Sequence, residues 1–369
     1  MRCFKYACFI MTVLAPVVVR AQSAPVSLEL GGYMKWYAAA GYVKAKENKA
    51  DYNRFDIMGD AEIYFSGESV LGEDEKYKIG VMAQLKTGTE STDSDDSGEY
   101  ALYADTKEGR IWDEVYALFD APFGRFFLGN VKNVAYQMAV TAPTISVLGV
   151  EESEFTRLSG SVPMMTLPVY DDIGTKISYI SPTIGGVTAG VSYMPSNNTN
   201  GHDASVLKSG TLDFAVISSL LYDKETAHGF FSFSLAVAQY KPRIGRSGKN
   251  FSAGFQISEG NHTLGASYMK SLNGDLDNGA NGAVHGGKSQ TLNVGWTYDL
   301  GLAAAGVNYI VQTGEDKYGN LRRSMVQTSF KYRLASGVDA FCDMAYINDN
   351  TTQNRRNTFG SAVGIDLSF

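Results

Sequence analysis

Two banks of opposite charge are the residues of this sequence best suited to chemistry. Glu151, Glu152 and Glu154, followed by Asp171 and Asp172, all fall within one long polar connection, residues 131–173. Lys35, Arg54, Lys78, Lys86, Arg125 and Lys176 occupy the wet parity of segments in which apolar and polar residues alternate. The chemistry open to such banks is electrostatic. Opposed charges across a narrow gap set up a transverse field that orients dipolar solutes and penalises apolar ones. For each residue taken alone, the competing reading is a solvated charge with no such effect.

Other chemistry finds less support. The four histidines, His202, His228, His262 and His285, lie in no G-x-S-x-G or H-E-x-x-H context. At least three of them fall in loops or turns, and His262 takes an outward, apolar parity. No enzyme is therefore expected. Asp93, Asp95 and Ser97 match the first half of a calcium loop, but its twelfth position is Ala104 where a bidentate Glu is needed. The alternatives there are a structural calcium site and a solvated acidic loop. No other cofactor is expected.

The amino terminus indicates export. Arg2 and Lys5 precede an apolar run from Ala7 to Val19, and Val19-Arg20-Ala21 offers a cleavage point. The run is too short for an anchor helix, which needs about 17 residues. Residues 1–21 are thus expected to be a cleaved signal peptide and 22–369 the mature domain. Cleavage leaves 29 basic against 39 acidic residues, a net charge of −10. That balance argues against nucleic acid as a partner. Cys342 alone remains, so an intrachain disulfide cannot hold the fold.

The positioning elements show themselves through a period of two. Phe55, Ile57, Ala61, Ile63 and Phe65 share one parity, while Asp56, Asp60 and Glu62 hold the other. This is a strand with one apolar and one wet face. Sixteen such segments follow one another, most of them about 9–11 residues long, enough for a tilted strand to cross a bilayer. The second is expected at 52–65 and the fourteenth at 324–334. Connections alternate between short turns, such as 120–124 and 259–260, and long polar loops, such as 87–110 and 271–288. That layout is the one found in outer-membrane barrels. The link at 66–76 breaks the rule, being longer than a short turn.

The last segment points Val363, Ile365, Leu367 and Phe369 outward, with Gly364, Asp366 and Ser368 inward. A lipid-facing strand needs every backbone group paired, so it is expected to close a barrel against the first strand. Tyr33 and Phe359 are candidates for an outward aromatic girdle, and Cys342 also takes the outward parity. The expected fold is all-β, a sixteen-stranded antiparallel transmembrane barrel.

Over nearly its whole mature length the chain resembles the Gram-negative general diffusion porins of the alpha- and betaproteobacterial branch. The resemblance rests on Glu114-Val-Tyr-Ala-Leu-Phe-Asp-Ala-Pro-Phe-Gly124, the run from Lys176 to Tyr193, and the terminal Phe369. It implies an outer-membrane location and passive diffusion of small hydrophilic solutes and ions. It also implies a homotrimer in lipid, a C-terminal strand read by the outer-membrane assembly machinery, and a third loop folded into the lumen. The second loop, within 87–110, would latch onto a neighbouring subunit. The third-loop segment lacks the acidic Pro-Glu-Phe-Gly turn of enterobacterial members. A substrate-specific channel is the alternative, although Tyr37, Tyr64, Trp112 and Tyr116 form no obvious aromatic slide.

Overall fold

The computed structural model describes residues 26–45, 52–72, 76–88, 112–151, 153–159, 161, 163–169, 174–196, 212–226, 229–242, 246–272, 288–316, 319–350 and 355–369. The expected signal segment, the calcium-like Asp93, Asp95 and Ser97, and loop acids Glu152, Asp171 and Asp172 lie outside these residues.

Alternation along the chain becomes sixteen strands in a closed antiparallel barrel. They are β1 (Ser27–Ala45), β2 (Tyr52–Leu71), β3 (Tyr77–Gly88), β4 (Trp112–Ala121), β5 (Gly124–Asn130), β6 (Thr175–Ile180), β7 (Val187–Met194) and β8 (Leu212–Thr226). The second half comprises β9 (Gly229–Pro242), β10 (Gly248–Glu259), β11 (His262–Leu272), β12 (Lys288–Asp299), β13 (Ala303–Asp316), β14 (Gly319–Ala335), β15 (Val338–Asn350) and β16 (Arg355–Ser368). Each strand pairs with its sequence neighbours, and β1 pairs with β16 in a register that sets Trp36 against Ile365 and Ala38 against Val363. Beyond the last strand residue, Phe369 and Gly32 exchange both backbone hydrogen bonds at 3.1 Å. Closure satisfies the backbone groups that an open edge would strand in hydrocarbon.

The apolar parity faces outward throughout. Leu28, Phe55, Ile57, Val81, Leu128, Val363 and Ile365 are among the exposed large apolar side chains, as befits a surface solvated by lipid tails. The odd link at 66–76 is resolved by strand length. β2 runs on to Leu71, which faces Tyr77 of β3, so only residues 72–76 are left between the two strands, Gly72 among them at a positive φ of 85°.

Tyr33 corrects one expectation. Met34 and Trp36 face out, so Tyr33 shares the inward parity of Lys35 and Tyr37, and its hydroxyl donates to Asp60 Oδ2 at 3.0 Å. Burying a phenol against a carboxylate acceptor outweighs any gain from a place in the girdle. Phe359 and Cys342 do keep the outward parity.

Candidate pore constriction

Between β5 and β6 the chain leaves the wall, and the described part of this connection packs against the inner face. It carries two short helices, α1 (Val134–Gln137), capped by Asn133, and α2 (Glu154–Ser159). Its backbone is fastened strand by strand to inward polar side chains. Val134 N donates to Ser192 Oγ of β7, and Val140 N to Ser234 Oγ of β9. Gln256 of β10 donates to Thr141 O, and Asn308 of β13 to Pro143 O. Ser146 Oγ and Leu148 N both donate to Asp343 Oδ2 of β15, at 2.8 and 3.2 Å. Arg356 of β16 closes the series on Ser159 O at 2.7 Å. The fastening thus sweeps round the lumen from β7 to β16.

Two further features make that course possible. Inward glycines lie where the loop comes closest. A Cβ on Gly254 would overlap Val140 O, and one on Gly360 would sit 2.6 Å from the ring of Phe155. The apolar residues of the loop then fill the space against the wall. Leu148, Val150, Phe155, Leu158 and Met164 join Tyr37, Ile310, Met325 and Phe341 in one buried cluster. A membrane barrel whose outside is lipid keeps its packed core inside the lumen.

The wall from β1 to β5 carries charge. Lys35 pairs with Asp60 at 3.2 Å and Lys86 with Glu62 at 3.5 Å, each across a strand register. Lys78 meets Glu68 at 2.8 Å, and Arg125 meets Asp120 at 2.9 Å. Glu62 also accepts from Tyr64 Oη at 2.8 Å and from Gln84 Nε2. A β-bulge sets both Asp113 and Glu114 of β4 against the single Gln84 of β3. It turns Asp113 inward, within 3.3 Å of Gln84 Nε2. The carboxylates Asp60, Glu62, Glu68, Asp113 and Asp120 that accompany the bases were not singled out from sequence, although Asp60 and Glu62 stood on the wet parity of β2.

The expected site residues thus take different places. Lys35, Lys78, Lys86 and Arg125 are wall cations beside acids. Lys176 is buried and donates to Val131 O at 2.5 Å, at the root of the loop. Arg54 lies on β2 opposite Gly41, and its side chain is outside the described part. Glu154 opens α2, its N–H donating to Leu148 O at 3.1 Å. Glu151 lies against the far wall, where it accepts from Thr166 N and Oγ1, Ser267 Oγ and Asn293 Nδ2 at 2.5–3.2 Å. Ser192, Ser234, Asn308, Gln327 and Asp343 also hold the loop. Their sequence signal was slight: single small or amide side chains on the wet parity of separate strands, and in Asp343 a lone carboxylate.

A closed barrel with an apolar exterior, a polar interior and a loop packed within it is a transmembrane channel of outer-membrane type. The sequence matches the family model of the Gram-negative porins over residues 7–352, and the chain belongs to that family. Among solved structures it is similar to the anion-selective porin of Comamonas acidovorans, with a TM-score of 0.64, 16% identity and coverage of 94% of this chain and 100% of that one. The Salmonella typhi OmpF complex with daunomycin gives 0.62 at 14% identity, covering 93% and 97%. OmpT of Vibrio cholerae, in its trimer form, gives 0.57 at 11% identity, covering 93% and 100%. At these identities the likeness is one of fold. No curated protein matches the sequence. Family and fold make this protein an outer-membrane diffusion channel.

Proposed function

We propose that the channel passes small hydrophilic solutes and ions passively, sorting them by size and charge between the loop and the wall of β1–β5. The observation that carries this reading is the division of the lumen. Loop backbone is bonded to strands from β7 to β16, while β1–β5 bear four ion pairs, Lys35–Asp60, Lys86–Glu62, Lys78–Glu68 and Arg125–Asp120; on the loop-bearing side β14 and β15 add Arg323–Asp349 and Lys331–Asp339. In this reading Glu151, Glu152, Glu154, Asp171 and Asp172 give the loop its negative field. Lys35, Arg54, Lys78, Lys86 and Arg125 stand on the wall, Lys176 lies buried at the root of the loop and anchors it, and Asp60, Glu62 and Asp113 make the wall a mixed surface. Mixed charge suits a sieve better than a tight site, because an ion that enters must also leave.

The same proposal includes a homotrimer. β5, β6 and β7 have only 7, 6 and 8 residues. At about 3.3 Å per residue and a tilt of about 40°, that wall stands roughly 15–20 Å tall against an apolar band of about 25 Å. A neighbouring subunit relieves the mismatch where lipid cannot. Beside this sector, Leu28, Phe65, Val81 and Leu128 rim an outer concavity of about 450 Å³ floored by Gly67 and Ala83. Removal of residues 1–21 on export, and recognition of the Phe369 strand by assembly machinery, complete the reading.

Conductance across a planar bilayer tests it. Stepwise channels are expected, closing in three equal steps, with flux that does not saturate with solute. Absence of discrete channels would end the reading, and saturable flux of one solute would replace it with a specific channel. Glu151, Glu152 and Glu154 changed together to Gln should lower cation preference; unchanged selectivity would remove the loop acids from the constriction.

A further inference from the structure

His262 is an ionisable residue on a face otherwise given to lipid. It opens β11 immediately after the two-residue turn Gly260–Asn261, opposite Glu259 of β10. Short turns mark the periplasmic end of such barrels, so the imidazole lies at the level of the inner-leaflet headgroups. It does not hang free there. Trp296 Nε1 donates to His262 Nδ1 at 3.3 Å, with the two rings inclined by only 25°. The Tyr298 ring lies 4.6 Å from the imidazole, centroid to centroid, and stacks beside Trp296 at 6.3 Å. Indole N–H can only donate. Nδ1 is therefore the acceptor, and the neutral ring carries its proton on Nε2. Trp296 fixes both the tautomer and the ring plane.

We propose that His262, Trp296, Tyr298 and Glu259 form a site for a zwitterionic phospholipid headgroup of the phosphoethanolamine type. The Nε2–H donates to the lipid phosphate, an acceptor that a hydrocarbon surface lacks and the headgroup layer supplies. Trp296 and Tyr298 take the glycerol and upper acyl region, the usual place of amphipathic rings in a membrane interface. Glu259 is exposed on the same outward parity as Ile257. Its carboxylate repels a bare phosphate and complements an ammonium, which favours the zwitterion over an anionic lipid. Preset orientation spares the ordering cost that a freely rotating side chain would incur on binding.

Native mass spectrometry of the detergent-purified full-length protein tests this, with dipalmitoyl phosphatidylethanolamine and dipalmitoyl phosphatidylglycerol as probes. The wild type is expected to retain the ethanolamine lipid preferentially. His262→Phe, which keeps an aromatic ring, should lower that retention about tenfold, the factor for one lost hydrogen bond to a charged group. Glu259→Gln should remove the preference while keeping the lipid. Trp296→Phe, which frees the tautomer, should weaken retention too and serves if His262→Phe fails to assemble. Equal retention of the two lipids by the wild type, or undiminished retention by both ring variants, would overturn the proposal.

Discussion

Substituting Gly254 by Ala tests whether the loop rests directly on the barrel wall. Gly254 faces inward on β10, and its added Cβ would overlap the carbonyl oxygen of Val140. Both partners are backbone, so no side chain can swing away. Restoring an ordinary carbon–oxygen separation of about 3.3 Å requires the loop to retreat by about 1.7 Å. Such a movement strains two anchors on that stretch, Val140 N to Ser234 Oγ at 2.8 Å and Gln256 Nε2 to Thr141 O at 2.8 Å. Overpacking and lost hydrogen bonds together should cost about 2–4 kcal/mol. The wall lies behind the loop and the lumen in front, so retreat narrows the pore. Single-channel conductance should fall, and thermal unfolding in detergent should come earlier. Gly41→Ala is the control, because its Cβ would meet Leu158 at an ordinary 3.8 Å. Equal conductance of G254A and wild type, in protein that still assembles, would refute the packing of Val140 on β10. A rise would mean the loop had been dislodged, which contradicts the inward direction of the shift.

Three further outcomes are expected. Asp343→Ala leaves Ser146 Oγ and Leu148 N without their shared acceptor; it should cost about 2–3 kcal/mol and raise open-channel noise, both readable by thermal unfolding and bilayer recording. Changing Asp60 and Glu62 together to Asn and Gln removes the carboxylates that face Lys35 and Lys86; reversal potentials in a salt gradient should shift toward anion preference, and no shift would take this stretch of wall out of the permeation path. Removing Phe369 deletes both backbone bonds to Gly32, so heat-modifiable barrel should form more slowly from urea-unfolded protein, with unchanged kinetics refuting a role in closure.

The wall was legible in the sequence because its signal repeats. Each strand sorts apolar from polar residues by parity, and an error at one position is outvoted by its neighbours. Strand ends were less legible. β2 extends six residues past the expected 65, and β14 begins at Gly319 where a start near 324 was expected. Beyond the membrane band, at either end, a strand remains paired by backbone hydrogen bonds alone, so its side chains need not alternate. Tyr33 failed for a related reason: a tyrosine suits both an interfacial girdle and a lumenal carboxylate, and only its register with Asp60 decides between them.

The charges were harder because residue type does not reveal whether a carboxylate faces water or holds backbone. Glu151 and Asp343 illustrate the exchange. The first was conspicuous beside Glu152 and Glu154 in a polar loop, yet Thr166, Ser267 and Asn293 all donate to it. The second was inconspicuous in the middle of β15, yet it receives the tip of the loop. A loop that must lie across a polar wall needs acceptors for its N–H groups and donors for its carbonyls. Those come from single inward residues on many strands, contributed by Ser192, Ser234, Gln256, Asn308 and Asp343 in turn. Such anchors are spaced by the distance between strands in the sequence, so no local motif can contain them. The inward glycines obey the same rule, since Gly254 and Gly360 are small only because Val140 and Phe155 arrive from more than a hundred residues away. The course of the loop is therefore a property of the closed barrel, and any residue that sets how closely the loop lies to the wall is expected to act on permeation without meeting a solute.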